Sequence, residues 1–297
     1  MITYRHHIVT LVAVFLALAV GVALGGGPLS ELGRDSTKTA ATVKEKTQDA
    51  KRAATFGDEF AVAGADMLYD GRLADHPVAV VALPGADEDA VAALEQQIET
   101  AGGGVTGRYD VQEALLDPGE KSLVDTLGSQ LMTQLGSGVV DAEASTYPRM
   151  GQLIGVAVST TEPTAAPAGP KTTSIRQSLV GADLMTSPRR EVDVAPLVLV
   201  VLGSKAGGED DQAVLSGLLS GIAARAAGTV VVADSQSGID GSLAALRHEP
   251  VADEVTTVDG VESPLGQVTA TLALLRALAG DGGSFGASGA DGAVPLS

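Results

Sequence analysis

Short apolar runs without alternation recur along the later part of the chain, each followed by a helical stretch. VAVVAL (Val78–Leu83) leads through Pro84-Gly85 into a helical segment from Asp87 to Ala101, and PLVLVVLGS (Pro196–Ser204) leads into one from Glu209 to Ala227. GTVVVAD (Gly228–Asp234), a helix around Leu243–Arg247, EVTTVDG (Glu254–Gly260) and a helix from Pro264 to Ala279 continue the plan, and Val105–Val111 reads as a further strand. Strands that are apolar on both faces and separated by helices predict a mostly parallel sheet covered on both sides. The fold class is therefore α/β, with a Rossmann-like domain over residues 71–279. Leu123–Leu135, Tyr147–Val158 and Thr173–Leu184 read as additional helices, with TTEPTAAPAGP as a loop.

The opening of the chain has a different texture. Residues 8–27 form an uncharged run of twenty, Thr10 being its one polar side chain. At about 1.5 Å per residue such a helix spans roughly 30 Å, the thickness of a bilayer's hydrocarbon core. A secretory signal has a shorter apolar region and a small-x-small cleavage site, of which Ala23-Leu24-Gly25 is a poor version. The segment is expected to remain as a single transmembrane helix. Arg5 before it places residues 1–7 in the cytoplasm and the remainder outside, against the weaker pull of Arg34, Lys38, Lys44 and Lys46. Ala13, Ala17, Gly21 and Gly25 recur every fourth residue, a face of small side chains on which two helix backbones can approach closely.

Gly25-Gly26-Gly27-Pro28 ends that segment, and residues 28–70 read as a helical stalk rich in Ala, Lys, Glu and Gln. A 3.5-residue repeat through Leu32, Thr39, Val43, Ala50, Ala53, Phe60 and Met67 is diluted by Ser36, Lys46, Gly57 and Gly64. It suits either a coiled coil or a helix packed on its own domain. At the other end, residues 280–297 lack Lys and Arg, are rich in Gly, Ser and Ala, and are expected to be disordered.

Charge and composition narrow the chemistry. A net charge of −18 and the absence of any basic stripe exclude nucleic acid as a partner. An acidic domain is repelled by anionic lipid, so membrane contact belongs to the anchor. With no cysteine there is no disulfide, thiolate nucleophile or Cys-ligated metal. Four Phe, four Tyr and no Trp leave a transmembrane barrel without its aromatic girdles.

A doubly wound sheet invites a nucleotide, but neither G-x-G-x-x-G nor G-x-x-x-x-G-K-[ST] follows a strand. GSKAGGEDD (Gly203–Asp211) offers glycines and Lys205, yet Glu209, Asp210 and Asp211 stand where a phosphate would sit, as Asp87, Glu88 and Asp89 do at the earlier helix. Both acidic clusters read as helix starts. GGSFG (Gly282–Gly286) matches G-x-S-x-G without a preceding strand, and His76 and His248 read as surface residues. No enzyme is expected, and no resident cofactor. The weak metal candidates are His6 and His7, two adjacent imidazoles, since the five methionines are scattered.

The opening HHIVTLVAVFLALAVGVALGGGPL, the stalk after it, and the late VDGVESPLGQVTATLALLRAL together resemble the actinobacterial copper transport protein family, of the mycobacterial copper transport protein B type. The resemblance covers nearly the whole chain apart from the tail and carries no catalytic motif. It implies a cell-envelope protein that limits intracellular copper, with copper as the ion transported. Similar relatives are linked to cell separation, which implies as an alternative a non-catalytic regulator of cell-wall remodelling acting through a membrane partner. One helix encloses no lumen, so transport requires self-association or a membrane partner protein.

Overall fold

Valine-rich strands form the centre of the domain. The structure, a computed structural model, describes residues 28–136, 138–204 and 207–296. The expected anchor and its flank, with His6, His7, Ala13, Ala17, Gly21 and Gly25, lie outside the described residues, and among those described no helix is long and apolar enough to cross a membrane. The chain divides into a unit up to Gly57 and a unit from Asp58 to Ser297. Helix α1 (Pro28–Tyr69) begins in the first and ends in the second.

In the second unit follow β1 (Val78–Ala82), α2 (Glu88–Thr100), β2 (Val105–Asp110), α3 (Glu113–Leu116), α4 (Lys121–Leu135), α5 (Thr146–Val158) and α6 (Pro170–Gly181). The chain continues through β3 (Leu197–Val201), α7 (Glu209–Ala223), β4 (Gly228–Ala233), α8 (Ser235–Asp240), α9 (Ser242–Leu246), β5 (Thr256–Asp259), α10 (Pro264–Leu278) and β6 (Gly283–Phe285). The strands form one six-stranded sheet in the order β2-β1-β3-β4-β5-β6, parallel throughout.

The uninterrupted apolar runs have a simple cause. Side chains alternate across a strand, and both faces here are buried. Ala79, Val81, Val198, Val200, Val231 and Ala233 join a core that contains α5 and α7. Val78, Val80, Leu197, Leu199, Val230 and Val232 join a second core with α2, α10 and the end of α1. From α1, Ala61, Ala65 and Tyr69 supply that second core at four-residue spacing. Phe60 and Met67, both from the 3.5-residue repeat, are instead 69% and 91% exposed.

Burial and the nearby negative charge of Asp66 push the Tyr69 phenol from 10.0 up to about 12. Its neutral form is the one the fold prefers, so this stabilisation is complete below pH 10 and disappears as pH climbs toward 12. Tyr109 and Tyr147 are raised by burial as well. The domain should therefore lose stability steeply above about pH 10, and Tyr69→Phe should make that decline shallower by on the order of 1–2 kcal/mol. Urea unfolding at pH 8 and pH 11 measures it; equal alkaline losses in both proteins would contradict the assignment.

The connection from β2 to β3 is where the fold departs most from a plain alternation of strand and helix. It holds α3 to α6, and two isolated bridges, Ser159 with Ala195 and Ala166 with Val194, tie it back before β3 begins. Helix α5 meets α7 through glycines on both sides. A methyl group on Gly151 would collide with the Leu218 carbonyl oxygen, and one on Gly221 with the Pro148 carbonyl oxygen. Gly155 and Gly217, four residues away on each helix, line the same crossing against Arg225 and Pro148. The helices pack backbone against backbone.

The tail is ordered, contrary to its composition. Residues 283–285 form β6, paired in parallel with β5, and Phe285 is 3% exposed. A buried ion pair holds the tail in place. Arg247 Nη2 donates to Asp259 Oδ1 at 2.9 Å and to the Phe285 carbonyl at 2.8 Å, Nη1 donates to Ser288 Oγ at 2.9 Å, and Nε donates to Thr257 Oγ1 at 3.0 Å. The Ser288 N–H donates to Asp259 Oδ2 at 3.0 Å. At Gly286, with φ of +106°, a side chain would strike Asp259. Glycines that resemble linker here serve close approach. Within the GGSFG motif, Ser284 Oγ accepts from Thr257 Oγ1 on the neighbouring strand.

Candidate functional site

Open parallel sheets bind ligands at the carboxyl ends of their strands, where the strand order reverses. Here the reversal falls between β1 and β3. The Gly203 backbone, just beyond β3, lies so close to Pro84 and Gly85, just beyond β1, that a Cβ on Gly203 would collide with the Pro84 carbonyl oxygen. What remains is a crevice of about 260 Å³ whose walls include Leu83, Leu116, Leu202 and Leu215, with Gln212 also lining it. The Gln212 Oε1 is buried without a hydrogen-bond partner.

Helix starts along this edge are already occupied by carboxylates of the chain itself. Asp87 Oδ1 accepts from the backbone N–H groups of Asp89 and Ala90 at 2.9 and 3.1 Å. Asp211 Oδ2 accepts from Gly208 N–H at 2.7 Å, and Asp234 Oδ1 from Ser237 N–H at 2.7 Å. Glu262 accepts from both the backbone and the hydroxyl of Ser235. These groups do for the helix dipole what a bound phosphate would do and oppose its approach. The sequence reading of Asp87 to Asp89 and of Glu209 to Asp211 as helix starts matches this geometry, while Lys205 lies outside the described residues.

A second cleft of about 260 Å³ is bordered by Asp87, Ser204, Asp234 and Glu262. Such an acidic rim concentrates cations through its field. Among the described residues, however, no three His, Asp or Glu side chains stand where they could share a metal ion.

Among the described residues the imidazoles and thioethers are dispersed. His76 Nδ1 lies 2.6 Å from the Pro163 carbonyl and so donates to it, which fixes the ring just before β1. His248 is exposed after α9. Met150 and Met185 are buried at 0% and 1% in the core under α5, while Met67 projects from α1. Burial among aliphatic side chains explains the two core methionines without a ligand role.

Two arginines stand out that sequence reasoning passed over. Arg247 belongs to the ion pair that anchors the tail, and Asp259, ending a strand buried along its whole length, was its available signal. Arg176 on α6 is 6% exposed and had no such signal, since its helix is barely amphipathic in sequence. At the β2 edge, Arg108 donates to Glu88 at 2.7 Å and to Asp110 at 2.8 Å. The hydrogen bond from Arg108 holds the Glu88 carboxyl below its usual range, and burial lifts that of Glu95. Charges on an edge strand discourage pairing with foreign strands.

Residues 1–295 match the family model described as "Copper transport outer membrane protein, MctB". The copper transporter MctB of Mycobacterium tuberculosis is 25% identical over 292 residues, covering 92% of each chain. The copper transporter MctB of Mycobacterium leprae is 28% identical over 312 residues, covering 94% of each. A match that runs from the apolar opening through the helical insertion to the final strand places this chain in the MctB copper transport outer membrane protein family.

Proposed function

We propose that this chain is a membrane-anchored, non-enzymatic protein of the cell envelope that contributes to copper efflux or homeostasis as an assembly, built with further copies of itself or with a membrane partner. The observation that carries the reading is the extent of the family match, which takes in the uncharged twenty-residue opening together with the whole α/β domain. That opening serves as the anchor, with residues 1–7 in the cytoplasm and the domain outside. Its face of Ala13, Ala17, Gly21 and Gly25 packs against another helix. Phe60 and Met67, exposed on the side of α1 away from Ala61 and Ala65, suit a helical neighbour as well. Copper is the cargo, and the path for it belongs to the assembly, because a single helix has no lumen.

A strain lacking the gene should be hypersensitive to copper, and the full chain should restore tolerance. A chain carrying Gly21→Leu should restore it poorly while accumulating normally. In parallel, calorimetry on the unit from Asp58 to Ser297 should show no stoichiometric, submicromolar site for Cu(I) or Cu(II). Unaltered copper tolerance in the deletion strain would defeat the functional reading. A tight site lost on changing His76 or His248 would instead move the copper chemistry into the domain.

A further inference from the structure

Arg176 is a buried cation whose charge is not matched by any carboxylate among the described residues. Its Nε donates to the Ala157 carbonyl at 2.7 Å and its Nη1 to the Val192 carbonyl at 2.8 Å. Its Nη2 is buried without a partner, and the guanidinium lies 5.6 Å from the centroid of the Tyr109 ring, whose hydroxyl is also buried and unpartnered. The Ala157 carbonyl at the end of α5 and the Val192 carbonyl in the segment before β3 satisfy two of its donors and offer partial negative charge. They do not supply the full counter-charge that a desolvated guanidinium calls for.

Arg176 lines a cleft of about 570 Å³ between α6 and the segment from Ser187 to Glu191. Arg189 and Arg190 stand on the opposite wall, exposed, with Thr173 and Gln177 as further polar lining and Glu191 as the single acid. Among the described residues no ion pair engages Arg176, Arg189 or Arg190. The chain holds 37 acidic residues against 19 basic ones, so three unpaired arginines around one cleft run against its overall balance. Guanidinium groups match oxyanions in shape and charge. A cleft of this volume also suits a small organic body bearing the anion, with Val180 and Pro188 as its apolar wall.

We propose that this cleft binds a small ligand carrying more than one oxyanion charge, captured by Arg189 and Arg190 above the fixed charge of Arg176. The site lies between the helical insertion and the edge strand β2, and does not depend on the copper reading.

Titration calorimetry on the full-length protein in detergent at low ionic strength, with pyrophosphate and separately with citrate as probes, tests it. A single saturable site for either probe is expected, weakened at least tenfold in the double variant R189Q/R190Q, whose exposed substitutions leave the core intact. Tighter pyrophosphate binding would assign a phosphate ligand, and tighter citrate binding a carboxylate one. No saturable heat with either probe up to millimolar concentration, or equal affinity in the double variant, would overturn the proposal. Arg176→Lys, which retains charge and loses the fork, should weaken binding with the thermal midpoint nearly maintained. If that variant does not fold, R189Q/R190Q alone decides the matter.

Discussion

Asp259→Ala is expected to destabilise the domain by about 3–5 kcal/mol, the range found when one partner of a buried ion pair is removed. The carboxylate is fully buried, and its partner Arg247 has a side chain only 9% exposed. Removing Asp259 leaves the largely buried Arg247 charge without its counter-ion, and it strips the Ser288 N–H of its acceptor. The damage should begin at the sheet's far edge, since Arg247 also holds the Phe285 carbonyl and the Ser288 hydroxyl. Hydrogen exchange should report early loss of protection in β6 and β5, and urea unfolding the total loss. Asp259→Asn keeps an acceptor for Ser288 and should cost less. A loss below about 1 kcal/mol for the alanine variant would mean that the pair is not the anchor described.

Gly151→Leu should be nearly as harmful, by about 3 kcal/mol or more. Enlarging a side chain in a packed interior typically costs about 1–3 kcal/mol when neighbours can shift. The obstacle here is the Leu218 carbonyl, part of the α7 backbone, and it cannot rotate aside as a side chain would. The helices must separate, opening the core that Met150, Leu153 and Ile154 share with Leu215, Leu218 and Ile222. A change from Gly151 to Ala should already be measurable, since the first added carbon makes the collision. Circular dichroism melts of the three proteins would rank them. A leucine variant that melts with the native chain would show that α5 and α7 are not in backbone contact.

Much of the sheet was legible because its strands are buried on both faces. Val78–Ala82, Leu197–Val201 and Gly228–Ala233 are runs that only a covered parallel sheet accommodates, and each was found to within three residues at either end. Helices with acidic starts were equally clear, Asp87 and Asp211 marking them by the hydrogen bonds they later proved to make. The tail was misread because composition measures average solvation and is blind to individual contacts. Gly286 and Phe285 are positioned by Asp259 and Arg247, residues distant in sequence. Arg176 was invisible for the same reason. Its partners are two backbone carbonyls, and backbone carbonyls have no sequence signature. The glycine crossing of α5 and α7 was present in the text as GxxxG on both helices, but that spacing has meaning only once the helices are known to touch.

The position of β6 has a consequence for how the protein is made. A ribosome delivers β5 well before Gly283–Phe285 and Ser288, so the nascent sheet waits with one full strand edge uncovered. Unpaired parallel edges recruit other strands. Chains stopped before Gly283, whether by a nonsense codon or by proteolytic trimming, would not yield a slightly smaller domain. They would present the polar edge of Thr256–Asp259 and an uncapped arginine, a species suited to edge-to-edge aggregation and rapid degradation. The segment 283–288 thus acts as a completeness check on the sheet made before it.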